Sequence, residues 1–229
     1  MVGGTVAPPP ASPHRIFLLS PASCSGERAR ILLREEASFD LARRLRGEGA
    51  PIGEVFSFLS GLYFRGKLTY ARAFARAPRG VDPILVITPS AGLVPAQTVV
   101  TRAGMRRFAA VDIGAGEPRF RRPFRRDARR LASSIPKDAE IVLLGSIASG
   151  KYYEVVADVL GERLLFPPDF VGRGDMSRGG LLLRAARSGE ELPYRPIRGA
   201  VRKGARPAKL PPIRGILPSL EKLGFPPES

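Results

Sequence analysis

The sequence predicts a single α/β domain whose central sheet is mostly parallel or mixed and is flanked by helices. Three observations point there. Five short apolar runs are each bounded by glycine, proline or charge, and segments with helical spacing lie between them. The chain's 229 residues, 44% apolar and 25% charged, suffice for one sizeable core. The domain is expected over 15–194, between a flexible Pro-rich leader (1–14) and a basic Pro/Gly-rich tail (195–229) expected to be disordered alone.

Taken in order, RIFLLS at 15–20 reads as the first strand, followed by helical spacing over 26–46 and part of 53–76. ILVITP at 84–89 and FAAVDI at 108–113 read as the next two strands. The helix expected at 124–135 can be argued by angle. At ~100° per residue, Phe124, Ala128, Leu131 and Ile135 fall in one stripe, Pro123 marks the start and Pro136 the stop. EIVLLG at 140–145 is a strand, 151–160 a helix, ERLLF at 162–166 a strand, and 175–187 the last helix.

Composition excludes several chemistries. One cysteine, Cys24, and one histidine, His14, rule out an intrachain disulfide and a Cys/His zinc site. His14 lies in the leader, so a Ser-His or Cys-His nucleophile is not expected, and neither is a metal or cofactor. Cys24, beside a core strand, reads as a small apolar residue. No apolar run approaches the ~20 residues of a membrane span, and the N-terminus lacks the basic and apolar regions of a secretory signal. A cytoplasmic protein without a membrane partner is expected.

The net charge is +16, carried by 37 Lys plus Arg against 21 Asp plus Glu. Residues 119–130 hold seven arginines and one acid, Asp127. Arg121, Arg122, Arg125, Arg126, Arg129 and Arg130 are candidate nucleic-acid contacts, because ordinary exposed helices intersperse the two signs. A solvated helix face is the alternative. The strip 195–209 contains no acid, and its Arg198, Arg202, Lys203 and Arg206 read as an arm that orders along phosphates or as a solubilising tail. Farther on, Ile216, Leu217, Leu220 and Leu223 have helical spacing.

GSIASGKY at 145–152 fits G-x-x-x-x-G-K after an apolar strand. Tyr152 stands where a phosphate loop needs a hydroxyl residue for Mg²⁺, and its spacing with Val155, Val156, Val159 and Leu160 makes it a core residue. Gly145, Ser149, Gly150 and Lys151 remain candidates for a simple anion site. In DFVGRGDMSRGG at 169–180, Asp175 is the candidate catalytic carboxylate, with Arg173 and Arg178 on a phosphate. The structural alternative makes Asp175 a helix N-cap with Arg178 as its local partner. Tyr63 is either a base-stacking surface or core.

Five segments in order resemble the YaaA-like group of small bacterial proteins, named for a peroxide-stress protein. They are FLLSPAS at 17–23, SGLYFRGKL at 60–68, VITPSAGLVPAQ at 86–97, IVLLGSIASGKYYEVV at 141–156 and GRGDMSRGGLLLR at 172–184. The resemblance spans about 15–187. It implies DNA binding and protection from oxidative damage, and it extends to a domain of archaeosine synthases and phage base-modification loci. It carries over no catalytic residue; SCSGER at 23–28 replaces the group's Lys-Thr sequence, and no helix-hairpin-helix insertion is recognised.

The expected function is therefore nucleic-acid binding, DNA ahead of RNA, in DNA protection or maintenance. The alternative is an enzyme that excises, exchanges or modifies a nucleobase or acts on a nucleotide. A phosphate-loop NTPase or a protein that docks on a partner comes third. For the enzyme, the site is expected in the loops at strand ends: 20–25, 60–67, 88–97, 145–151 and 173–178.

Overall fold

The computed structural model describes residues 13–210, so most of the leader, the tail beyond 210 and the apolar spacing at 216–223 lie outside the described residues. The first strand, β1 (Arg15–Leu19), is buried along its whole length, as its unbroken apolar run requires for a strand covered on both faces. It leads into helices α1 (Glu27–Leu33) and α2 (Asp40–Arg46), the short strand β2 (Ala50–Pro51), and helices α3 (Ile52–Ser60) and α4 (Leu62–Phe74). Strands β3 (Ile84–Ile87), β4 (Leu93–Pro95) and β5 (Val99–Val100) precede helices α5 (Arg102–Ala109) and α6 (Pro118–Ser134). Strand β6 (Glu140–Leu144), helix α7 (Tyr153–Leu160), strand β7 (Leu164–Phe166), helix α8 (Asp175–Ser188) and strand β8 (Arg195–Pro196) complete the described chain.

Among the described residues the main sheet has six strands in the order β4-β3-β1-β6-β7-β8, and β2 pairs with β5 apart from it. The four inner strands are parallel and both edge strands antiparallel. Alternate residues of β1 face opposite layers. Phe17 and Leu19 join a core with α1–α5 and α8, while Ile16 and Leu18 join one with α6 and α7. The mixed α/β class and the central sheet expected from the sequence are therefore present.

Three expectations need correction. FAAVDI is not a strand: α5 takes its first two residues and a turn the rest. Thr101 starts that helix, its Oγ1 accepting a hydrogen bond from the Gly104 N–H at 3.3 Å, and Met105 and Phe108 form its buried side. The basic helix begins not at Pro123 but at Pro118, because Glu117 caps the earlier turn and proline suits the first helical position. Pro123 is accommodated inside it, and Phe120 extends the stripe of Phe124, Ala128 and Leu131. Finally, the sheet runs past the expected domain end at 194. Strand β8 pairs with β7, and the Ile197 N–H donates to Leu164 O at 3.0 Å.

Candidate functional site

Strand order dictates where a ligand can sit. From β1 the chain moves to β3 on one side, then crosses to β6 and β7 on the other, so the connections diverge at the carboxyl ends of β1 and β6. Such a switch point opens a crevice. Here a cleft of about 490 Å³ lies at that place. It is lined by Ser20 to Ser25 after β1, Ser60 and Tyr63 around the start of α4, Pro89 after β3, Ser146, Lys151 and Tyr152 after β6, and Asp175 at the start of α8. All but Tyr152 fall in the five segments expected to build the site, but 60–67 is the α3–α4 junction and the first turns of α4, not a loop at a strand end. The turn after α5, with Asp112, joins them and was missed, because 108–113 read as a strand.

Ser20 occupies the first position after β1. Its N–H donates to Leu144 O at 3.1 Å, which fixes it between the two central strands. Gly145 makes room for it: a Cβ there would lie 2.9 Å from the Ser20 Cβ. Beneath Ser20 sits Lys67, 1% exposed, whose Nζ donates to Ser20 O at 2.5 Å and to Ser20 Oγ at 2.9 Å. The same Nζ stands 4.4 Å from the Tyr63 ring centroid and 4.7 Å from that of Phe64. No carboxylate forms an ion pair with it among the described residues. Burial pushes the Lys67 ammonium down from its ordinary value to about 7, opposed by Asp175 and reinforced by Arg178.

Lys67 was not singled out from the sequence. The available signal was a lysine on the buried stripe of α4, in register with Tyr63, Tyr70 and Phe74 on one side and Phe64, Leu68 and Ala71 on the other. Glycines bring α4 and α8 together. A Cβ on Gly66 would stand 2.7 Å from Gly179 O, and one on Gly179 would stand 2.7 Å from Leu62 O. That backbone-to-backbone approach places Asp175 at the wall of the cleft and Lys67 behind Ser20, beneath its lining.

Tyr63 is 5% exposed and packs edge-on against Phe170, so it offers a base little free face. Its hydroxyl is buried and makes no hydrogen bond of ordinary geometry; burial raises its pKa above the usual phenol range, with Arg178 beside it working the other way. Asp175 is not the N-cap of α8; Gly174 is. The Asp175 side chain is exposed and accepts a hydrogen bond from Arg178 Nη1 at 3.2 Å, the local pair of the structural alternative. Arg178 is itself buried and also donates from Nε to Phe170 O at 3.1 Å. Arg173 turns to Asp169 O, Ser177 Oγ and Ala208 O.

In the 145–152 turn Gly150 has φ +71°, and the Glu154 carboxylate lies against it. Helix α7 starts only at Tyr153. Ser149 is exposed, while Lys151 reaches the cleft with its Nζ 5.1 Å from the Tyr152 ring centroid. Tyr152 is buried, as its spacing predicts, and packs edge-on to Phe120. Burial pushes the Cys24 thiol up to about 12, which makes it an inert wall. His14 lies at the amino end of β1, where its carbonyl accepts from the Glu140 N–H at 2.8 Å, opposite the cleft. Among the described residues no group of three His, Cys, Asp or Glu could hold a metal ion.

The arginines of α6 divide. Arg125 pairs with Asp158 on α7, and Arg126 pairs with Asp127. Asp127 also accepts from the Leu93 N–H at 3.1 Å, which explains the lone acid in this helix. Arg121, Arg122, Arg129 and Arg130 are exposed and make no ion pair among the described residues. Two grooves adjoin the cleft in sequence. The first, with Arg107, Arg119 and Arg122, shares Val111 with the cleft; the second, with Arg121 and Arg125, shares Pro118 and Arg122 with the first. Arg126, Arg129 and Arg130 line neither groove.

The strip at 195–209 lies against the domain. Arg198 pairs with Glu162 at 3.5 Å, Arg202 pairs with Glu154 at 3.3 Å and covers the Tyr153 ring, and Ile197 is buried. Lys203 and Arg206 are exposed. No helix among the described residues is long and apolar enough to cross a membrane. Compared with known proteins, the chain matches no protein-family model, no curated protein and no solved structure.

Proposed function

We propose that this protein binds nucleic acid, DNA in the first place, along the arginine-lined groove of α5 and α6 and holds one nucleotide of it in the cleft. The observation that carries the reading is adjacency: the groove with Arg107, Arg119 and Arg122 shares Val111 with the crevice at the sheet's switch point, and the groove with Arg121 and Arg125 shares Pro118 and Arg122 with that first groove. Arginine suits this task because its planar fork pairs two donors with a phosphate. The YaaA-like resemblance supports the same partner. A second reading, an enzyme acting on the held nucleotide or its base, is favoured by the buried Tyr63 hydroxyl at the cleft wall, which makes no hydrogen bond of ordinary geometry and has Arg178 beside it. In that reading Asp175 and Lys151 are the charged groups that meet the ligand.

The test is a salt series with the full-length chain on single-stranded DNA, duplex DNA and structured RNA. Binding should weaken steeply with salt, and Arg107→Ala with Arg122→Ala should reduce the log–log slope by about 2. Arg129→Ala with Arg130→Ala, outside the groove, should change it less. Absence of binding at low salt, or equal effects of the two pairs, would sink the reading.

A further inference from the structure

We propose that Ser20 is a nucleophile and Lys67 its general base, a serine–lysine pair at the floor of the cleft that opens oxygen esters at a carbonyl or phosphoryl centre. The inference rests on the cleft being a ligand site and not on nucleic-acid binding. Its geometry has three parts. Ser20 lines the cleft, and its backbone is fixed by the bond from its own N–H to Leu144 O. Lys67 Nζ is 2.9 Å from Ser20 Oγ, within the reach a base needs. Lys67 has no route to solvent of its own, since Tyr63, Phe64 and Ser20 enclose it, so it acts only through Ser20.

A structural lysine would be expected to meet a carboxylate when buried this deeply, because an unpaired buried charge is costly. Here the nearest charged groups are both on α8: Asp175, which favours the ammonium, and Arg178, which disfavours it. On its own helix the titratable neighbour is Tyr63. Burial outweighs them and leaves the amine able to hold or release a proton near neutrality. A neutral amine keeps one N–H on Ser20 O and turns its lone pair to the Ser20 hydroxyl, so the same two contacts serve both protonation states.

The step balances without an outside reactant other than water. Lys67 Nζ takes the proton of Ser20 Oγ as Oγ bonds to the carbonyl carbon or phosphorus. The bond from that centre to the leaving oxygen breaks, and the leaving oxygen departs with the proton from the Lys67 ammonium, leaving a serine ester. Water then attacks the serine ester, gives its proton to Lys67, and Ser20 Oγ recovers it. The histidine of the usual triad is replaced by lysine, a substitution that serine nucleophiles tolerate.

The full-length protein incubated with an alkyl fluorophosphonate tests this directly, because the probe loses fluoride to an activated serine and needs no nucleotide. Peptide mapping should place the adduct on Ser20, with a rate that rises through about pH 7 and falls about 100-fold or more in Lys67→Met. Ser20→Ala should take up no probe. A burst of p-nitrophenol from p-nitrophenyl acetate would assign the carbonyl class, and one from bis(p-nitrophenyl) phosphate the phosphoryl class. Labelling of Ser20 no faster than in the unfolded chain overturns the proposal, as does equal labelling of folded Lys67→Met. Should that variant not fold, the wild-type profile decides: a rate flat across about pH 6 to 9 also overturns it. Nucleic-acid binding is read separately, so either proposal can fail alone.

Discussion

The two ends of the central sheet each bury a cation, and they treat it in opposite ways. At the amino end, Arg15 is buried but meets Glu140 and Glu191, and its guanidinium lies 4.9 Å from the Tyr194 ring centroid. Burial works against its charge, and the two carboxylates overcome that, leaving it above its ordinary pKa. Around it, Tyr70 and Tyr194 share a hydrogen bond, and the Leu192 N–H donates to Tyr70 Oη at 2.8 Å. At the carboxyl end, Lys67 meets a serine and two aromatic rings, and the Tyr63 hydroxyl beside it makes no hydrogen bond of ordinary geometry and has only Arg178 near it. One end satisfies its polar groups and holds the chain together; the other leaves them poised at an open cleft. The difference is what sets the proposed ligand site at the carboxyl end.

Removing the satisfied cation should have the largest effect. Arg15→Met strands the partly buried Glu140 and leaves Glu191 only Arg76 and the Tyr194 hydroxyl, and should cost about 3 kcal/mol, read as a fall in the urea midpoint. Next comes Gly66→Ala, whose methyl meets Gly179 O and forces α4 from α8, at about 2 kcal/mol. An unchanged midpoint in either variant would break the contrast between a built frame and a site set into it.

Lys67→Met should do less to stability, changing it by under about 1 kcal/mol or raising it, since it removes a charge that burial opposes. The sign with pH follows from the depressed pKa. The unfolded chain binds the Lys67 proton up to about 10.5 and the folded chain only to about 7, so the unfolded state carries more protons between these values. The penalty from Lys67 is therefore full below pH 7 and is relieved as pH rises from about 7 to 10.5. Wild type should gain on Lys67→Met across that window in paired denaturation curves. The smallest effect is at Cys24. With its thiol raised to about 12, a disulfide reagent should modify the native chain far more slowly than the unfolded one.

How much of this was legible in the sequence follows from the range of each interaction. Strands β1, β3, β6 and β7 were readable because continuous burial leaves a continuous apolar run, and their carboxyl-end loops located the cleft in advance. The two-residue strands β2, β5 and β8 were not, since their pairing depends on partners far along the chain. Segment 108–113 misread because Phe108 ends a helix and the apolar residues after it continue the run. Among the arginines, the sequence shows charge but not partners: Asp158 claims Arg125 from 33 residues away. Lys67 was hidden for the opposite reason, a single cation on a stripe otherwise apolar, whose partner Ser20 lies 47 residues earlier.

The most direct measurement of the central claim is an NMR titration of the Lys67 side chain in the full-length folded protein, followed at its ε-carbon and assigned with Lys67→Met. An apparent pKa near 7 would establish an amine kept poised beneath Ser20. A value near the ordinary 10.5 would show a permanently charged structural lysine and contradict the account.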